Sequence, residues 1–286
     1  MSEIRRVGIV GCGVMGSGIA DVCARAGLEV RVAVSGEASA ARGRRRLSKS
    51  LDYGLRKAVI TEAERDGALE RVSFTTDLGD LADRQIVFET APENESVKLD
   101  VFGALDKIVE DPAAILASNT SSIPIIRMAR ATGRPGQVIG VHFFNPVPVL
   151  PLVELIGSLL TEDETRVRAE AFVAVTLGKQ VIHSPDRAGF VVNALLIPYL
   201  LAAIRMVETG FATADVIDQG MVLGCSHPMG PLKLADLIGL DTVASIAVAL
   251  YEEFKDPQYS PPPMLLRMVE GGLLGRKTGR GFHSYS

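Results

Sequence analysis

Tryptophan is absent from this 286-residue chain, and aromatic residues make up only 5% of it. The sparse aromatics argue against a base-stacking platform, and a net charge of −4 argues against a general nucleic-acid binder. The three cysteines, Cys12, Cys23 and Cys225, are isolated and show no metal-site spacing. They therefore predict neither a disulfide framework nor a metal site, and they indicate a reducing cytoplasm.

Long uninterrupted apolar runs are also missing. The longest apolar stretch, residues 190–207, contains Asn193, Pro198 and Arg205. A membrane span needs roughly 20 mainly apolar residues, so we interpret this stretch as a buried or interface helix. The first strand is expected to begin near Val7, which leaves no room for a signal peptide.

What the chain does contain is a high apolar content, with 47% hydrophobic residues and therefore a sizeable core. Its N-terminal half alternates β-prone runs with amphipathic segments, which indicates βαβ units and a mostly parallel sheet. The predicted strands are 7–10, 30–34, 73–75, 86–89, 115–118 and 138–144. The predicted helices of the second half are 190–208, 214–223, 232–251 and 263–270.

A glycine-rich turn follows the first predicted strand and reads GCGVMG from Gly11 to Gly16. The first glycine of such a turn permits tight bending, and the second lets the backbone approach a pyrophosphate. The third lets the following helix pack closely, with its N-terminus facing the phosphates. The turn predicts dinucleotide binding through Gly11, Gly13, Val14, Met15 and Gly16. The alternative is a turn with a structural role alone.

These patterns together predict two domains. We expect an α/β Rossmann-type domain over residues 1–184, which carries a helical hairpin insertion. An all-α domain is expected over residues 185–286. The boundary is placed in the turn-rich segment 183–189.

The end of the second predicted strand departs from the usual NAD pattern. Val34 stands where an acidic residue for the adenosine ribose is expected, and Glu37 is the nearest acid. Arg42 and Arg44 follow, which suits a 2′-phosphate, so NAD is favoured while NADP stays open. Alternatively, the ribose is held by backbone groups, Ser35 and water.

Residues 42–57 form a strongly basic segment. Its basic side chains are Arg42, Arg44, Arg45, Arg46, Lys49, Arg56 and Lys57. An apolar stripe at helical spacing comprises Leu47, Leu51, Leu55 and Val59. Thr61 and Glu64 fit a capping box that opens a second helix. This hairpin either captures a polyphosphate handle such as coenzyme A or is a solvated charged face.

Two short β-prone runs, 141–144 and 152–156, flank a proline-rich loop. If they pair antiparallel, His142 and Glu154 face each other. A carboxylate beside an imidazole fixes the ring tautomer and stabilises the imidazolium, as a base that deprotonates a hydroxyl requires. The alternative is a hydrogen-bonded core histidine near an unrelated surface glutamate.

With these features in view, the chain resembles the 3-hydroxyacyl-CoA dehydrogenase family over nearly its whole length, and most of all its short bacterial members. The segments that carry the resemblance are GCGVMGSGIA, ASNTSS, GVHFFNPVPVLPLVELI, DRAGFVVN, HPMGPLKLADLIGLD and GRKTGRGF. The resemblance implies an oxidoreductase that interconverts a 3-hydroxyacyl-CoA, expected to be 3-hydroxybutyryl-CoA, and the 3-oxoacyl-CoA.

The resemblance also implies roles for individual residues. His142 matches the catalytic base and Glu154 its carboxylate partner. Ser121 matches the hydroxyl that binds the substrate's 3-oxygen, and Asn193 the amide that completes the site from the helical domain. Without the resemblance, Ser121 could equally cap a helix over 123–130, and Asn193 could be a satisfied core amide.

Further implied contacts concern the cofactor, the substrate and a second subunit. Glu93 and Lys98 match positions near the nicotinamide ribose, and Asn145 lies beside the base as in the family. The coenzyme A handle is expected on the hairpin, at Arg45, Lys49 and Arg56. The helical domain is expected to supply a homodimer interface.

Departures from the family leave rival interpretations open. Val34 replaces the ribose acid, and Ala194 stands where many members have arginine. A hydroxyacyl group on a carrier protein is therefore an alternative substrate. A dehydrogenase of small free acids is disfavoured, because some of those use a lysine as the acid or base where this chain has His142, and because the basic hairpin favours a bulky phosphorylated handle. A noncatalytic dinucleotide-binding protein is disfavoured by the intact proton-transfer residues.

Overall fold

The predicted β-runs of the N-terminal half become strands in the computed structural model, which describes residues 3–285. The strands are β1 (Arg6–Val10), β2 (Glu29–Ala33), β3 (Val72–Thr75), β4 (Ile86–Glu89), β5 (Ile115–Ser118), β6 (Val138–Phe143), β7 (Leu152–Gly157) and β8 (Gln180–Pro185). They form an eight-stranded sheet in the order β3-β2-β1-β4-β5-β6-β7-β8. Neighbouring strands run parallel except β6 and β7, which are antiparallel.

Helices connect the parallel strands of this first unit, which ends at Arg187. They are α1 (Val14–Arg25), α2 (Glu37–Arg56), α3 (Glu62–Glu70), α4 (Glu95–Ile108), α5 (Ile125–Arg130) and α6 (Asp163–Ala171), with a π-helical continuation over Phe172–Thr176. The strand order reverses between β1 and β4, where open α/β sheets bind ligands at the carboxyl ends of their strands. The predicted Rossmann-type architecture is confirmed.

The predicted basic hairpin is formed by α2 and α3. Its capping box is present, because the Thr61 side chain accepts from the Glu64 backbone N–H and the Glu64 carboxylate accepts from the Thr61 N–H at 2.7 Å. The hairpin also contacts α1, where Ser50 Oγ on α2 donates to the buried Asp21 at 2.5 Å. Burial raises the pKa of Asp21, and the Ser50 hydrogen bond and Arg25 oppose that rise.

The apolar stripe of the hairpin is shorter than predicted. Leu47 and Leu51 are buried, whereas Val59 is 62% exposed. Helix α2 ends at Arg56, and Ala58 then adopts a left-handed φ of 53°. A left-handed residue turns the chain out of the helix, so the assignment of Val59 to the stripe was wrong.

The second unit begins at Ala188 and is helical. Its helices are α7 (Val192–Glu208), α8 (Ala214–Cys225), α9 (Pro231–Ile238), α10 (Leu240–Phe254) and α11 (Pro263–Glu270). The single helix predicted over 232–251 was wrong, since Gly239, with φ of 102°, separates α9 from α10 at an angle of 95°. The helix predicted from residue 190 begins at Val192, because Phe190 has a φ of 50°.

Strand β8 was missed by the sequence analysis, which assigned part of it to the domain boundary. It lies at the sheet edge, where only Ser184 is buried and the valine and isoleucine are half-buried. An edge strand of this kind lacks the strong apolar alternation from which the other strands were predicted.

Within residues 3–285, no single helix is both long and apolar enough to cross a membrane. The bent pair α9 and α10 passes that test by length and composition alone. Much of this pair lies in the core of the second unit, where Leu232, Val243, Ala247 and Leu250 are buried.

The stripe suggests a stability test for the hairpin. Leu51→Ala is expected to lower the free energy of unfolding by about 2–5 kcal/mol, because a fully buried leucine loses its transfer energy and leaves a cavity. Val59→Ala is the matched control and should change it by less than about 0.5 kcal/mol, as exposed sites do. Urea unfolding followed by circular dichroism measures both, and equal losses would contradict the observed stripe.

Candidate active site

The antiparallel pairing of β6 with β7 brings the predicted proton-transfer residues together. His142 is the direct cross-strand partner of Glu154. His142 Nδ1 lies 2.7 Å from Glu154 Oε2, and both side chains are buried. The prediction that they face each other is confirmed, and the alternative of an unrelated surface glutamate is wrong.

The ring nitrogen on the other side of His142 contacts a hydroxyl. Ser121 Oγ lies 3.1 Å from His142 Nε2. A carboxylate at Nδ1 favours the tautomer with its proton on Nδ1, so the neutral ring presents a lone pair at Nε2. Nε2 is therefore the ring nitrogen able to accept a proton, and the Ser121 hydroxyl lies beside it.

Ser121 lies in the loop that follows β5, and Glu93 organises this loop. One carboxylate oxygen of Glu93 accepts from Thr120 Oγ1 at 2.5 Å, the Ser121 N–H at 3.0 Å and Ser122 Oγ at 3.0 Å. Burial alone would raise the pKa of Glu93, but the Lys98 charge and these hydrogen bonds hold it below its usual value. Glu93 therefore stays ionised and fixes the backbone on which Ser121 stands.

Ser121 does not act as the cap of the next helix. The first free N–H groups of α5, from Ile125 and Ile126, donate to the Asp186 carboxylate at 2.6 Å and 2.8 Å. The helix also begins later than the sequence suggested, at Ile125. The capping interpretation of Ser121 is therefore wrong, and its hydroxyl faces the histidine instead.

Lys98 forms a buried ion pair with Glu89 near the same loop. Lys98 was predicted as a site residue, whereas Glu89 was not. Lys98 Nζ donates to both carboxylate oxygens of Glu89, at 2.8 Å and 2.9 Å, and lies 3.3 Å from Glu93. Ser118 Oγ and the Ala91 N–H also donate to Glu89, at 2.7 Å and 2.6 Å. Glu89 was detectable as an acid that ends an otherwise apolar strand, because a charged residue is rarely buried unless it has a partner.

Asn119 is a second residue that the sequence analysis did not single out. Its Oδ1 accepts from the Phe143 N–H at 2.9 Å, next to His142 in the chain. This bond ties the loop after β5 to the end of β6. Asn145, which was predicted to contact cofactor, is exposed and precedes Pro146 in a cis peptide bond.

The glycine turn borders a cavity of about 650 Å³ at the carboxyl ends of β1 and β2. Gly11 has a φ of 93°, and a Cβ at Gly16 would lie 2.3 Å from Gly11 O, so both positions require glycine. A Cβ at Gly13 would meet no atom within 4 Å among the described residues. A side chain at Gly13 would instead fill the cavity where a pyrophosphate must approach the backbone.

Helix α1 begins directly after Gly13 and, among residues 3–285, no side chain caps its N-terminus. Its first N–H groups and its dipole are thus available to an anion. The turn, the cavity and the helix fit a dinucleotide, as predicted. Bound there, NAD would be held by the backbone around Gly11 and Gly13, and Ser35 also lines the cavity.

The other predicted cofactor residues differ in their surroundings. Val14 is 58% exposed at the start of α1, and Met15 packs against the core of the first unit. Gly16 is buried against Gly11. Neither Val14, Met15 nor Gly16 is among the described residues that line the cavity.

A run of polar contacts links the cavity to the histidine. Ala91 lines the cavity, and its carbonyl accepts from Lys98 Nζ at 3.3 Å. Lys98 pairs with Glu93, which holds Ser121, and Ser121 reaches His142. The lining of the dinucleotide cavity and His142 are therefore connected by one continuous network of polar contacts within the first unit.

The residues predicted to hold the substrate handle lie on one face of α2. Arg45, Lys49 and Arg56 are all exposed. At about 100° per residue they fall within about 40° of one another around the helix, on the side away from Leu47 and Leu51. The structure thus groups the three cations, while their contact with a ligand stays a prediction.

Asn193 belongs to the second unit. It is the second residue of α7 and is buried, with 8% of its surface exposed. Its predicted role in the site stays a prediction. Among the described residues there is no group of three or more His, Cys, Asp or Glu that could hold a metal ion.

A Rossmann-type sheet, a dinucleotide cavity and a histidine backed by a buried carboxylate are the parts of a nicotinamide-dependent dehydrogenase. Residues 6–187 match the family model for the 3-hydroxyacyl-CoA dehydrogenase NAD binding domain, and residues 189–285 match the model for the C-terminal domain. The chain belongs to the 3-hydroxyacyl-CoA dehydrogenase family.

Individual relatives are similar over their full length. The chain is 59% identical over 282 residues to a 3-hydroxybutyryl-CoA dehydrogenase of Mycobacterium tuberculosis, and the match covers 99% of both chains. The solved structure of M. tuberculosis FadB2 matches with a TM-score of 0.98 and 58% identity over 100% of both chains. That of (S)-3-hydroxybutyryl-CoA dehydrogenase from Ralstonia eutropha matches at 0.92 and 46%, over 99% of this chain and 100% of the other.

Glu93 gives a pH-dependent prediction. Because its pKa is lowered in the folded state, its contribution to stability is present above the ordinary glutamate pKa and is lost as the pH falls through the folded value. Glu93→Gln should therefore lower the free energy of unfolding by about 1–3 kcal/mol near neutral pH, through loss of charge-assisted hydrogen bonds. The loss should shrink in acid.

Urea unfolding at several pH values measures this difference between wild type and variant. Glu95→Gln, which removes only a surface pair with Arg127, is the control and should cost less than about 1 kcal/mol at every pH. A loss for Glu93→Gln that does not vary with pH would show that its charge is not what stabilises the loop.

Proposed function

We propose that this enzyme interconverts (S)-3-hydroxybutyryl-CoA and acetoacetyl-CoA with NAD. The observation that carries the proposal is the buried His142–Glu154 pair, whose Nε2 faces Ser121 beside the dinucleotide cavity. The similarity to 3-hydroxybutyryl-CoA dehydrogenases over 99% of the chain supports the acyl group. A hydroxyacyl group on a carrier protein is the alternative substrate.

The proton follows a path set by His142. Oxidation of a secondary alcohol removes a proton from its oxygen and a hydride from its carbon, and bound NAD supplies the hydride acceptor. His142 Nε2 takes the proton, and the Glu154 carboxylate at 2.7 Å from Nδ1 stabilises the resulting imidazolium. In the reverse direction the same imidazolium returns the proton to the forming alkoxide.

Two further side chains are proposed to position the substrate. Ser121 donates to the substrate's 3-oxygen, which is supported by its hydroxyl standing 3.1 Å from Nε2. Asn193 is proposed to help Ser121 position the oxygen and the thioester of the substrate. When Ser121 and Asn193 hold the oxygen and the thioester of the substrate, its reacting carbon meets the cofactor in a near-attack geometry.

Cofactor and coenzyme A contacts extend the proposal. Gly11, Gly13, Val14, Met15, Gly16, Ser35, Glu93, Lys98 and Asn145 are proposed to surround NAD. The exposed face of α2 with Arg45, Lys49 and Arg56 is proposed to hold the phosphates of coenzyme A. Three cations on one helix face suit a polyphosphate, because each adds a charge-assisted hydrogen bond.

We propose a homodimer in the cytoplasm, with residues 1–184 as the dinucleotide-binding domain and 185–286 as the substrate and dimerisation domain. The second unit supports the dimer, since Leu195, Phe211 and Leu223 are each more than 70% exposed. Exposed apolar side chains mark an interaction surface where they form a contiguous patch, and we propose that these three lie in the subunit interface. The free cysteines Cys12, Cys23 and Cys225 suit a reducing compartment.

The substrate is tested by following nicotinamide absorbance with acetoacetyl-CoA and NADH. Rapid oxidation of NADH is expected, because the acyl group and handle match the proposed site. Acetoacetyl bound to phosphopantetheine on a carrier protein is the comparison. Faster turnover of the carrier form than of the coenzyme A form would overturn the proposed substrate.

The proton-transfer pair is tested by His142→Ala and Glu154→Gln. His142→Ala should lower kcat by about 10²–10⁴-fold, the contribution of a positioned acid or base, with NADH affinity little changed. Glu154→Gln should lower kcat less and shift its pH profile, since the imidazolium loses its charged partner. Preserved turnover in His142→Ala would refute the assigned base, and an unshifted profile in Glu154→Gln would refute the coupling.

A further inference from the structure

The residues that follow β2 give the lining of the cavity hydroxyl groups and an arginine. Ser35 follows β2, and its Oγ lies 3.4 Å from the Oγ of Ser39 in the first turns of α2. Arg42 Nη2 donates to Ser39 Oγ at 2.8 Å. All three side chains line the cavity. An arginine has five N–H donors, so one bond to Ser39 leaves others to meet an anion.

The described lining of this cavity contains no acidic side chain, neither aspartate nor glutamate. Glu37, the nearest acid in the sequence, is the first residue of α2, is exposed and lies outside the lining. A carboxylate at this place would bind the two ribose hydroxyls of NAD and repel a 2′-phosphate. Its replacement by Ser35 and Val34 removes that repulsion.

Helix α2 is held close enough for its basic side chains to reach the cavity. A Cβ on Gly43 would lie 2.9 Å from Cys12 Cβ and 2.8 Å from the Phe74 ring, so only glycine permits this approach. Arg46, one helical turn beyond Arg42, donates to Cys12 O at 3.3 Å and also lines the cavity.

The two arginines that the sequence analysis associated with NADP differ in the structure. The guanidinium of Arg44 lies 5.0 Å from the centre of the Phe74 ring, and Arg44 does not line the cavity among the described residues. Arg42 does line it and contacts Ser39. The residue that can discriminate between cofactors is therefore Arg42, and Arg44 provides a matched control on the same helix.

We propose that Ser35, Ser39 and Arg42 form a 2′-phosphate subsite, so that this enzyme accepts NADP(H) as well as NAD(H). Ser39 accepts from Arg42 and keeps its own proton to donate. The subsite thus offers two hydroxyl donors and a guanidinium to a dianion, with Arg46 adding positive charge along the same cavity. The proposal rests on the dinucleotide site described above but not on the identity of the acyl substrate.

Binding of adenosine 2′,5′-bisphosphate, compared with adenosine 5′-monophosphate, tests the subsite without turnover. Isothermal titration of the full chain should show tighter binding of the bisphosphate. Arg42→Gln should weaken it about tenfold or more, as expected for loss of charge-assisted hydrogen bonds, and leave the monophosphate within about twofold. Arg44→Gln should leave both unchanged. Ser35→Asp should abolish the preference for the bisphosphate.

Equal binding of the two nucleotides to the wild-type protein would overturn the proposal. So would a loss caused by Arg45→Gln and not by Arg42→Gln, because the probe would then occupy the exposed face of α2. In steady-state assays, Arg42→Gln should lower the ratio of kcat/KM for NADPH to kcat/KM for NADH about tenfold. Acetoacetyl-CoA reduction by NADH in the same preparation tests the proposed function separately.

Discussion

The antiparallel register between β6 and β7 decides that the His142 imidazole meets the Glu154 carboxylate. The side chains of a strand alternate between faces, so a slip of one residue would turn His142 and Glu154 to opposite sides of the sheet. In the observed register they are direct partners and share the face on which Ser121 lies. The reversal of strand direction thus places the imidazole beside its carboxylate, and the carboxyl ends of the parallel strands β1 and β2 border the dinucleotide cavity.

The Ser121 loop depends in turn on buried charge. Glu89 and Lys98 are both fully buried, and such a pair is tolerable only when its remaining hydrogen-bonding groups are satisfied. Here Ser118, Ala91 and Glu93 complete it. Because Glu93 also binds the backbone of Ser121, the network that neutralises the lysine holds the loop in place beside His142.

Local sequence patterns predicted the strands other than β8, the helical hairpin and the pairing of His142 with Glu154. These features follow from local apolar patterns, glycine spacing and capping chemistry, which act over a few residues. The break at Gly239, the edge strand β8 and the role of Glu89 were not predicted. The break rests on the positive φ of Gly239 within an otherwise continuous apolar period, and β8 is an edge strand with weak alternation. Glu89 depends on its partners, since it reads as the polar end of a strand until Lys98 and Ser118 are placed beside it.

The Glu89–Lys98 network also constrains how this enzyme can be recombined with its relatives. Strand β4, the start of α4 and the segment from β5 into the following loop each contribute groups to one buried network of an ion pair and its hydrogen bonds. A chimaera that exchanges only one of these segments for a sequence with different charges would leave an ion without its partner in the interior. For engineering of cofactor or substrate range, residues 89–122 therefore form the smallest block to exchange as a whole.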